Sequence, residues 1–375
     1  MLNEGVGTAV SIDGRSWLKT MLGCEGHAVY GPYEALQAGR YVVNFDILDG
    51  VEGECDDEDI VAGIDVVSAF GSHQFATTYL TKRDLGSLSL VFDLAHPTEG
   101  LEYRVYTSGI RSLLVGVEPK AVRDDGATLP SADQVPGASD QVSIRNVLRL
   151  LKPHRLVEHN KVRVGNEHDG GYVMVDDFDV DVALSLGIND DITWDVAVAN
   201  RGLKVYQFDH TVADPAPDDD RMVFSPTMIA SQTGEGRISL EDLARRHAAS
   251  DRIILKMDIE GWEWEAFETL ERVDAFSQIV CELHYFEGLV DVLHRTRVRR
   301  ALKKLNEHYV VVHIHGNSCA GLTTMHGLSF PCVMEVTFAN RNLYPVEETL
   351  ETFPSSMDQS CDPKKPDLWL GTFTF

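Results

Sequence analysis

Acidic and imidazole side chains follow two apolar runs at a spacing that could bring them together at one edge of a sheet. Asp258 and Glu260 come after Ile-Leu-Lys-Met, and Glu282 and His284 end the run Ile-Val-Cys-Glu-Leu-His. Because side chains two apart on a strand share a face, each pair points to one side of the sheet. A neutral histidine there is suited to take a proton from a hydroxyl group. We therefore predict that His284, Asp258 and Glu260 are catalytic; a structural histidine and helix-capping carboxylates are the alternatives.

Two further histidines alternate along a later run. His313 and His315 lie in Val-His-Ile-His, and the turn Gly316-Asn317 follows. We predict that His313, His315 and Asn317, together with Glu282, form hydrogen bonds to a polyhydroxy substrate. The local sequence supplies no third metal ligand beside the two histidines. A metal site is therefore not predicted, although the carboxylates are compatible with a divalent ion.

The segment Ala-Leu-Ser-Leu-Gly-Ile-Asn-Asp-Asp at 183–191 has the pattern of a strand, a tight turn and the start of a helix. Gly187 lets the backbone approach a ligand closely, and Asn189 tolerates positive φ. Asp209 ends the next apolar run about 20 residues later, where an acid can accept hydrogen bonds from a ribose diol. A plain strand-to-helix turn and a solvent-facing Asp209 are the alternatives. The turn lacks Gly-x-Gly-x-x-Gly, which disfavours a nicotinamide cofactor.

Strands and helices alternate from about residue 142, which predicts an α/β fold with a parallel sheet covered on both faces. Helical segments are predicted between the first five apolar runs, and no long helix joins the last two, which favours an antiparallel final strand. The apolar runs lie at 182–188, 203–208, 252–259, 277–283, 308–314 and 332–338.

The first 118 residues have a different pattern, which predicts an all-β domain. Tyr41, Val43, Phe45 and Ile47 alternate with polar residues, as in a half-buried strand. Several such runs predict a sandwich or jelly roll for residues 1–118. Residues 119–141 are polar, without periodicity, and are predicted to link this domain to a second one at 142–375. Three aromatic side chains could stack on sugar rings, although a core position is the alternative for each: Trp17, Tyr30 and Tyr33.

The formal net charge of −26 argues against nucleic acid as the main partner, because phosphate binding needs a dense basic face. The basic cluster at 295–304 is interpreted as the solvated face of one helix, with a patch for an anionic ligand as the alternative. None of the six cysteines is paired at zinc-ligand spacing, so a cytoplasmic protein with reduced thiols is predicted. No signal peptide and no membrane span are expected. A homo-oligomer is compatible with the sequence.

The chain resembles the FkbM-like methyltransferases and the related methyltransferase-like group over about 160–340. The motifs that carry the resemblance lie at 167–172, 185–191, 205–209, 256–263, 282–284 and 313–317. The resemblance implies a Rossmann-like class I methyltransferase sheet that uses S-adenosylmethionine. Gly187 and Asp209, with Asn189 and Asp190, would bind this cofactor.

Further roles follow from the same resemblance. Asp169 and Gly170 would form a cofactor-binding loop before the first strand. Asp258 and Glu260 would line the site, and Asp258 would also contact the cofactor. Many members of the family methylate hydroxyl groups of sugars or of polyketide-type compounds, so a glycan or another small hydroxylated acceptor is expected here.

We therefore predict an O-methyltransferase. One alternative is a catalytically silent module that keeps the fold and binds carbohydrate through its β domain. Another is a nicotinamide-dependent oxidoreductase, which the single-glycine turn disfavours.

Overall fold

The computed structural model of the protein describes residues 2–71, 73–124, 136–216, 218–247 and 252–375. The chain divides into two compact units, an N-terminal unit of residues 1–133 and a C-terminal unit of residues 134–375. Among the described residues, no helix has the length and apolar character needed to cross a membrane.

Eleven strands form the described part of the N-terminal unit. They are β1 (Gly7–Ile12), β2 (Arg15–Thr20), β3 (Gly26–Val29), β4 (Pro32–Leu36), β5 (Gly39–Asp49), β6 (Ile60–Ser68), β7 (His73–Thr81), β8 (Gly86–Leu94), β9 (Thr98–Thr107), β10 (Leu113–Gly116) and β11 (Lys120–Arg123). Short 3-10 turns lie at Ala69–Gly71 and Lys82–Asp84.

These strands form two antiparallel sheets. One has the order β1-β2-β10-β5-β11 with β8 also on β5, and the other has the order β3-β9-β6-β7 with β4 also on β9. Both sheets contribute side chains to one apolar core. The alternation predicted for 40–48 is confirmed, since Tyr41, Val43, Phe45 and Ile47 are all buried.

The structure differs from the sequence analysis at the predicted linker, 119–141. Residues 120–123 form β11, because pairing with β5 supplies the hydrogen bonds that their sequence alone does not predict. At the other end, a helix begins at Pro136, within the predicted linker. Residues 125–135 lie outside the described residues.

Five helices and fifteen strands form the described part of the C-terminal unit. The helices are α1 (Pro136–Arg149), α2 (Thr193–Ala199), α3 (Leu240–His247), α4 (Glu263–Thr269) and α5 (Val292–His308). The strands are β12 (His154–Leu156), β13 (Lys161–Gly165), β14 (Gly171–Val175), β15 (Val182–Leu186), β16 (Lys204–Phe208), β17 (Met222–Ser225), β18 (Met228–Ala230), β19 (Arg237–Ser239), β20 (Ile253–Met257), β21 (Phe276–Leu283), β22 (Tyr309–Gly316), β23 (Leu322–Met325), β24 (Leu328–Pro331), β25 (Met334–Asn340) and β26 (Val346–Glu348). Short 3-10 turns lie at Val273–Ala275 and Phe286–Val290.

The main sheet of this unit has seven strands in the order β17-β16-β15-β20-β21-β25-β22. Neighbours from β17 to β21 are parallel. The strand β25 is antiparallel to both β21 and β22, as the missing helix between the last two apolar runs predicts. Four two-stranded pairs were not predicted: β12–β26, β13–β14, β18–β19 and β23–β24.

The two faces of the main sheet pack against different elements. On β20, Ile253, Leu255 and Met257 belong to a core that also contains residues of α1, α3, α4 and α5. Ile254, on the opposite face, belongs to a second core with residues of α2, β13 and β14. By alternation, Lys256 lies on the same face as Ile254. Lys256 therefore points to the side of the sheet that is covered by α2 and the β13–β14 hairpin.

The basic cluster at 295–304 lies on α5 but is not simply a solvated face. Arg295 and Arg299 are buried. Arg300 forms an ion pair with Glu268 of α4 at 3.2 Å, and Arg297 lies 3.7 Å from the same carboxylate. Part of this positive charge is therefore paired within the unit, because α5 packs against α4, which carries Glu268.

An ionic pair crosses the antiparallel ladder of β22 and β25. His315 lies opposite Glu335, and its Nδ1 is 3.0 Å from Glu335 Oε2. The other ring nitrogen, Nε2, lies 2.8 Å from Asp367 Oδ1. Burial lowers the pKa of His315, but the carboxylates outweigh this effect and raise the pKa to about 9. Both nitrogens of the imidazolium then donate hydrogen bonds.

Replacing His315 with glutamine is expected to destabilise the protein in a pH-dependent manner. The pKa in the folded state is about 9, against roughly 6.5 when unfolded, so the stabilisation is complete below the unfolded value and is lost as the pH rises through the folded value. We expect the deficit of His315→Gln in the free energy of unfolding to be larger by on the order of 3 kcal/mol at about pH 6 than at about pH 10. Urea denaturation at both pH values measures it.

The control is His326→Asn, which replaces an exposed imidazole at a residue with a φ of 48° that asparagine tolerates. It should change the free energy of unfolding by less than about 0.5 kcal/mol at either pH. Equal deficits of His315→Gln at both pH values would contradict the raised pKa.

Candidate functional site

A cavity of about 680 Å³ lies where β15, β16 and β20 end at their carboxyl edge. This volume falls within the roughly 300–1,000 Å³ typical of small-molecule sites. In open parallel sheets, ligands bind at this edge. The residues that line the cavity are Asn166, Asp169, Gly170, Tyr172, Gly187, Ile188, Asn189, Asp190, Asp191, Phe208, Asp209, His210, Thr211, Thr227, Met228, Ile229, Lys256, Asp258, Ile259, Glu260, Trp262, Glu282 and Asn317.

Gly187 begins the turn after β15 and is required there for two reasons. Its φ is +72°, a conformation that side chains other than glycine rarely adopt, and a Cβ atom would lie 1.6 Å from the carbonyl oxygen of Asp258. The Gly187 carbonyl accepts a hydrogen bond of 2.6 Å from Lys256 Nζ, and the Gly187 N–H donates to Phe208 O at 2.9 Å. The turn is thus packed directly against the ends of both neighbouring strands.

Asp209 holds the same turn from the end of β16. Its Oδ2 accepts hydrogen bonds from the N–H groups of Ile188 and Asn189 at 2.9 and 3.0 Å. Its Oδ1 accepts from the N–H and the hydroxyl of Thr211 at 2.8 and 2.6 Å. Burial acts to raise the pKa of Asp209, but these hydrogen bonds lower it overall.

These contacts change the interpretation of Asp209. A carboxylate has about four acceptor sites, and four protein donors already use them. The predicted contact with a ribose diol would have to compete with them. The structure therefore assigns Asp209 a positioning role, in which it fixes Ile188 and Asn189 at the cavity wall. Asn189 has the predicted positive φ, +46°.

The predicted loop of Asp169 and Gly170 is the turn of the β13–β14 hairpin, and both residues line the cavity. The neighbouring Asn166 donates a hydrogen bond of 3.0 Å to Asp191 Oδ2, which joins this turn to the one after β15. Asp190 also lines the cavity. All seven predicted cofactor-binding residues are therefore brought together around one space.

The charge in the cavity is strongly negative. Among the described residues that line it, five aspartates and two glutamates face one lysine. Burial raises the pKa of Asp258, and it also raises the pKa of Asp169. Such a wall favours a cationic ligand and opposes a diphosphate, because like charges repel strongly where water is partly excluded.

His284 lies beside this cavity without being one of its lining residues. Its side chain is 9% exposed and sits behind Asp258, Glu260 and Glu282, which do line the cavity. The distances from His284 Nε2 to Asp258 Oδ1, Glu260 Oε2 and Glu282 Oε1 are 4.0, 3.6 and 3.5 Å. The predicted catalytic residues are thus close together.

The electrostatics do not favour the predicted general base. Burial acts to lower the pKa of His284, but the surrounding carboxylates, first of all Glu263, raise it overall. A general base must be neutral, whereas these groups favour the imidazolium. The prediction considered only the carboxylates two residues away on the strands and missed the fully buried Glu263, whose Oε1 is 3.2 Å from His284 Nδ1.

The predicted substrate residues divide into two groups. Glu282 and Asn317 line the cavity and are joined by a hydrogen bond of 3.0 Å from Asn317 Nδ2 to Glu282 Oε1. His313 and His315 do not line it. His313 is buried, with Nε2 2.8 Å from Asp358 Oδ1, and His315 is paired as described above. Both imidazoles are instead directed at carboxylates within the unit, His313 at Asp358 and His315 at Glu335 and Asp367.

Sequence reasoning missed Lys256, Tyr172 and Trp262, which all line the cavity. Lys256 had a readable signal, because a lysine inside an apolar run is unfavourable unless it has partners. Tyr172 donates a hydrogen bond of 3.2 Å to Asp258 Oδ2 and lies two residues after Gly170, in the motif in which only Asp169 and Gly170 were assigned roles.

Exposed aromatic rings flank the acidic end of the cavity. Trp262 is 45% and Tyr285 is 50% exposed, and the Tyr285 ring packs on Gly261, where a Cβ atom would lie 2.0 Å from it. Glu260 and Tyr285 both have positive φ, 56° and 65°. Non-glycine residues in this conformation are strained and concentrate at functional sites.

The aromatic residues proposed for sugar stacking in the N-terminal unit have different environments. Trp17 is buried, so its ring is not available for stacking. Tyr33 is exposed, and Tyr30 lines a cavity of about 310 Å³ together with Pro32 and Glu34.

Two solved structures that match the chain are only weakly alike to it. An arabinose-bound α-L-arabinofuranosidase aligns with 9% identity and a TM-score of 0.23, over 35% of this chain and 23% of that chain. A Clostridium thermocellum endo-1,4-β-D-xylanase with CBM22-1 and GH10 modules, in complex with xylohexaose, aligns with 10% identity and a TM-score of 0.22, over 53% of this chain and 33% of that chain. The chain thus spans a third or less of these enzymes. At such scores the likenesses carry no conclusion about fold or function.

No curated protein matches the chain. A family match does exist for the segment that contains Gly187, Asp209, Asp258 and His284, and it supports a methyltransferase. Residues 176–309 match the Methyltransferase FkbM domain family, which confirms the resemblance found in the sequence.

Proposed function

We propose that the C-terminal unit is an S-adenosylmethionine-dependent O-methyltransferase that acts on a glycan or another hydroxylated acceptor. The observation that carries this proposal is the acid-rich cavity at the carboxyl ends of β15, β16 and β20, whose central turns lie within the matched FkbM segment. The family match supports methyl transfer, and the cavity supports the choice of cofactor.

The order of the main sheet supports a Rossmann-like class I methyltransferase arrangement. Counted along the chain, its strands lie in the order 3-2-1-4-5-7-6, and the seventh is antiparallel to its neighbours. The cavity lies beside the first strand, where the order reverses. That is where ligands bind in doubly wound sheets.

S-adenosylmethionine carries a sulfonium and an ammonium group, so the negative wall suits it. Asp169, Asp190 and Asp258 would face these positive groups, and the turn at Gly187 and Asn189 would hold the rest of the cofactor close to the backbone. When bound, the cofactor supplies a methyl group already activated by the sulfonium. The protein then has mainly to align the acceptor oxygen with it and to exclude water.

The acceptor end of this site would be the group of Asp258, Glu260 and His284. The two carboxylates reach the cavity, and the imidazole lies behind them. Trp262 and Tyr285 would form an apolar wall on which a sugar ring could stack, since their exposed faces flank this end.

The same charge distribution weighs against the oxidoreductase alternative. A nicotinamide dinucleotide carries a diphosphate, and the cavity has seven carboxylates against one lysine among its described lining residues. The silent-module alternative keeps the cavity but predicts no methylated product.

Asp209→Ala is expected to weaken binding of S-adenosylmethionine at least tenfold, about 1.4 kcal/mol. The substitution removes the carboxylate that accepts the N–H groups of Ile188 and Asn189, so the cofactor turn loses its order. Calorimetric titration of the full chain with S-adenosylmethionine and S-adenosylhomocysteine measures the affinity.

Asp220→Ala is the matched control, because Asp220 is exposed and does not line the cavity. It should bind both ligands with wild-type affinity. NAD should give no heat of binding. If neither sulfonium ligand nor its demethylated product binds the wild-type protein, the proposed cofactor is wrong.

Trp262→Ala is expected to raise the KM for an oligosaccharide acceptor several-fold and to leave the Kd for S-adenosylmethionine unchanged. The reason is that the indole would stack on the acceptor and not on the cofactor. Transfer of a labelled methyl group to a panel of oligosaccharides measures KM. Trp369→Ala removes an indole that is 71% exposed outside the cavity, and it should retain wild-type KM. Equal effects of the two variants would contradict an acceptor wall at Trp262.

A further inference from the structure

His284 and the carboxylates around its Nε2 have the arrangement of a set of metal ligands. Three carboxylate oxygens, from Asp258, Glu260 and Glu282, surround its Nε2 at 3.5–4.0 Å. The ligand atoms of Asp258, Glu260 and His284 all lie within 4.8 Å of one another. A cation at their centre would be able to contact all of them at coordination distance.

The side chain of His284 is nine-tenths buried, and its buried Nδ1 has no well-aligned hydrogen-bond partner among the described residues. Buried polar side chains nearly always have a partner. The three carboxylate oxygens lie at or beyond the limit of a hydrogen bond to Nε2. Nε2 therefore points into the group of carboxylates without a short hydrogen bond to any of them.

The other ring nitrogen faces a carboxylate that is itself held in place. Glu263 is fully buried, and its Oε1 lies 3.2 Å from His284 Nδ1. The same oxygen accepts hydrogen bonds from the N–H groups of Ile259 and Gly261 at 2.9 and 3.2 Å. A histidine that binds a metal through one nitrogen commonly has a carboxylate at the other, which fixes the orientation of the ring.

We propose that Asp258, Glu260 and His284 bind a divalent cation, with Glu282 as an additional ligand. A set dominated by carboxylate oxygens with one imidazole favours Mn²⁺ or Mg²⁺ over ions that prefer thiolates. Glu260 is largely exposed, and Asp258 and Glu260 line the cavity, so the ion has coordination positions open to it. Vicinal hydroxyls of an acceptor could occupy these positions; only this last step rests on the proposed function.

Two other groups of ligand-type residues among the described residues are less suitable. His315, Glu335 and Cys361 already have hydrogen-bond partners: both ring nitrogens of His315 are bonded, and Cys361 Sγ donates to Glu335 Oε1 at 3.2 Å. Asp169, Glu282 and Glu335 contain carboxylates alone.

A titration with Mn²⁺ tests the site without relying on activity. The full chain is dialysed against chelator and titrated with MnCl₂, and free Mn²⁺ is followed by its electron paramagnetic resonance signal. We expect one Mn²⁺ per chain, displaced by excess Mg²⁺. Glu260→Gln should weaken binding at least roughly tenfold, a loss on the scale seen when a metal-site partner is removed. His284→Ala should do the same.

Glu260→Gln is informative because its side chain is exposed and its loss should not affect folding. Glu307→Gln, an exposed residue of α5, controls for loss of one negative charge and should bind Mn²⁺ like the wild type. Circular dichroism of each variant verifies the fold. The proposed site is wrong if wild-type protein binds no stoichiometric Mn²⁺, or if Glu260→Gln and His284→Ala both retain its full affinity.

Parallel calorimetry with S-adenosylmethionine separates this inference from the proposed function. Cofactor binding without Mn²⁺ binding would overturn the ion site and leave the methyltransferase standing. Mn²⁺ binding without cofactor binding would support the ion site and contradict the proposed use of S-adenosylmethionine.

Discussion

The close approach of two strand ends determines the geometry of the whole site. The turn after β15 lies so near the end of β20 that only glycine fits at position 187, where a Cβ atom would meet the Asp258 carbonyl. Lys256 reaches across from β20 to the Gly187 carbonyl, and Asp209 holds the next two N–H groups from β16. Three parallel strands are thus joined at one point, where the backbone of the turn after β15 forms part of the cavity wall.

The accumulation of negative charge follows from this arrangement. Parallel strands all end at the same edge, so an acid at each strand end adds to one patch. Asp209, Asp258 and Glu282 do this from β16, β20 and β21. Burial raises the pKa of Glu282 most, and repulsion from Asp258, Glu335 and Asp169 raises it further. A positively charged ligand or ion relieves that repulsion, so one electrostatic property underlies both the cofactor and the cation proposed here.

Much of the C-terminal fold could be predicted because apolar runs and helical stripes report burial. Trp264 and Phe267 have helical spacing on α4 and are buried, as is Leu270 directly after the helix. The order of the strands is set by long-range packing, which periodicity does not encode. Alternation likewise predicts that His313 and His315 face a substrate, whereas both imidazoles form hydrogen bonds to carboxylates away from the cavity lining. The four hydrogen bonds that Asp209 accepts could not be predicted either, because they depend on how the turns after β15 and β16 fold against each other.

The position of β25 has a consequence for how the chain acquires this structure during synthesis. β25 is the last strand of the main sheet to be made, yet it lies between β21 and β22, not at an edge. Until residues 334–340 have left the ribosome, β21 has an unpaired side, and such edges are prone to pair with other chains. The strand that carries Glu282 therefore keeps an exposed edge until late in synthesis, and nascent chains lacking β25 should be the ones that depend most on chaperones.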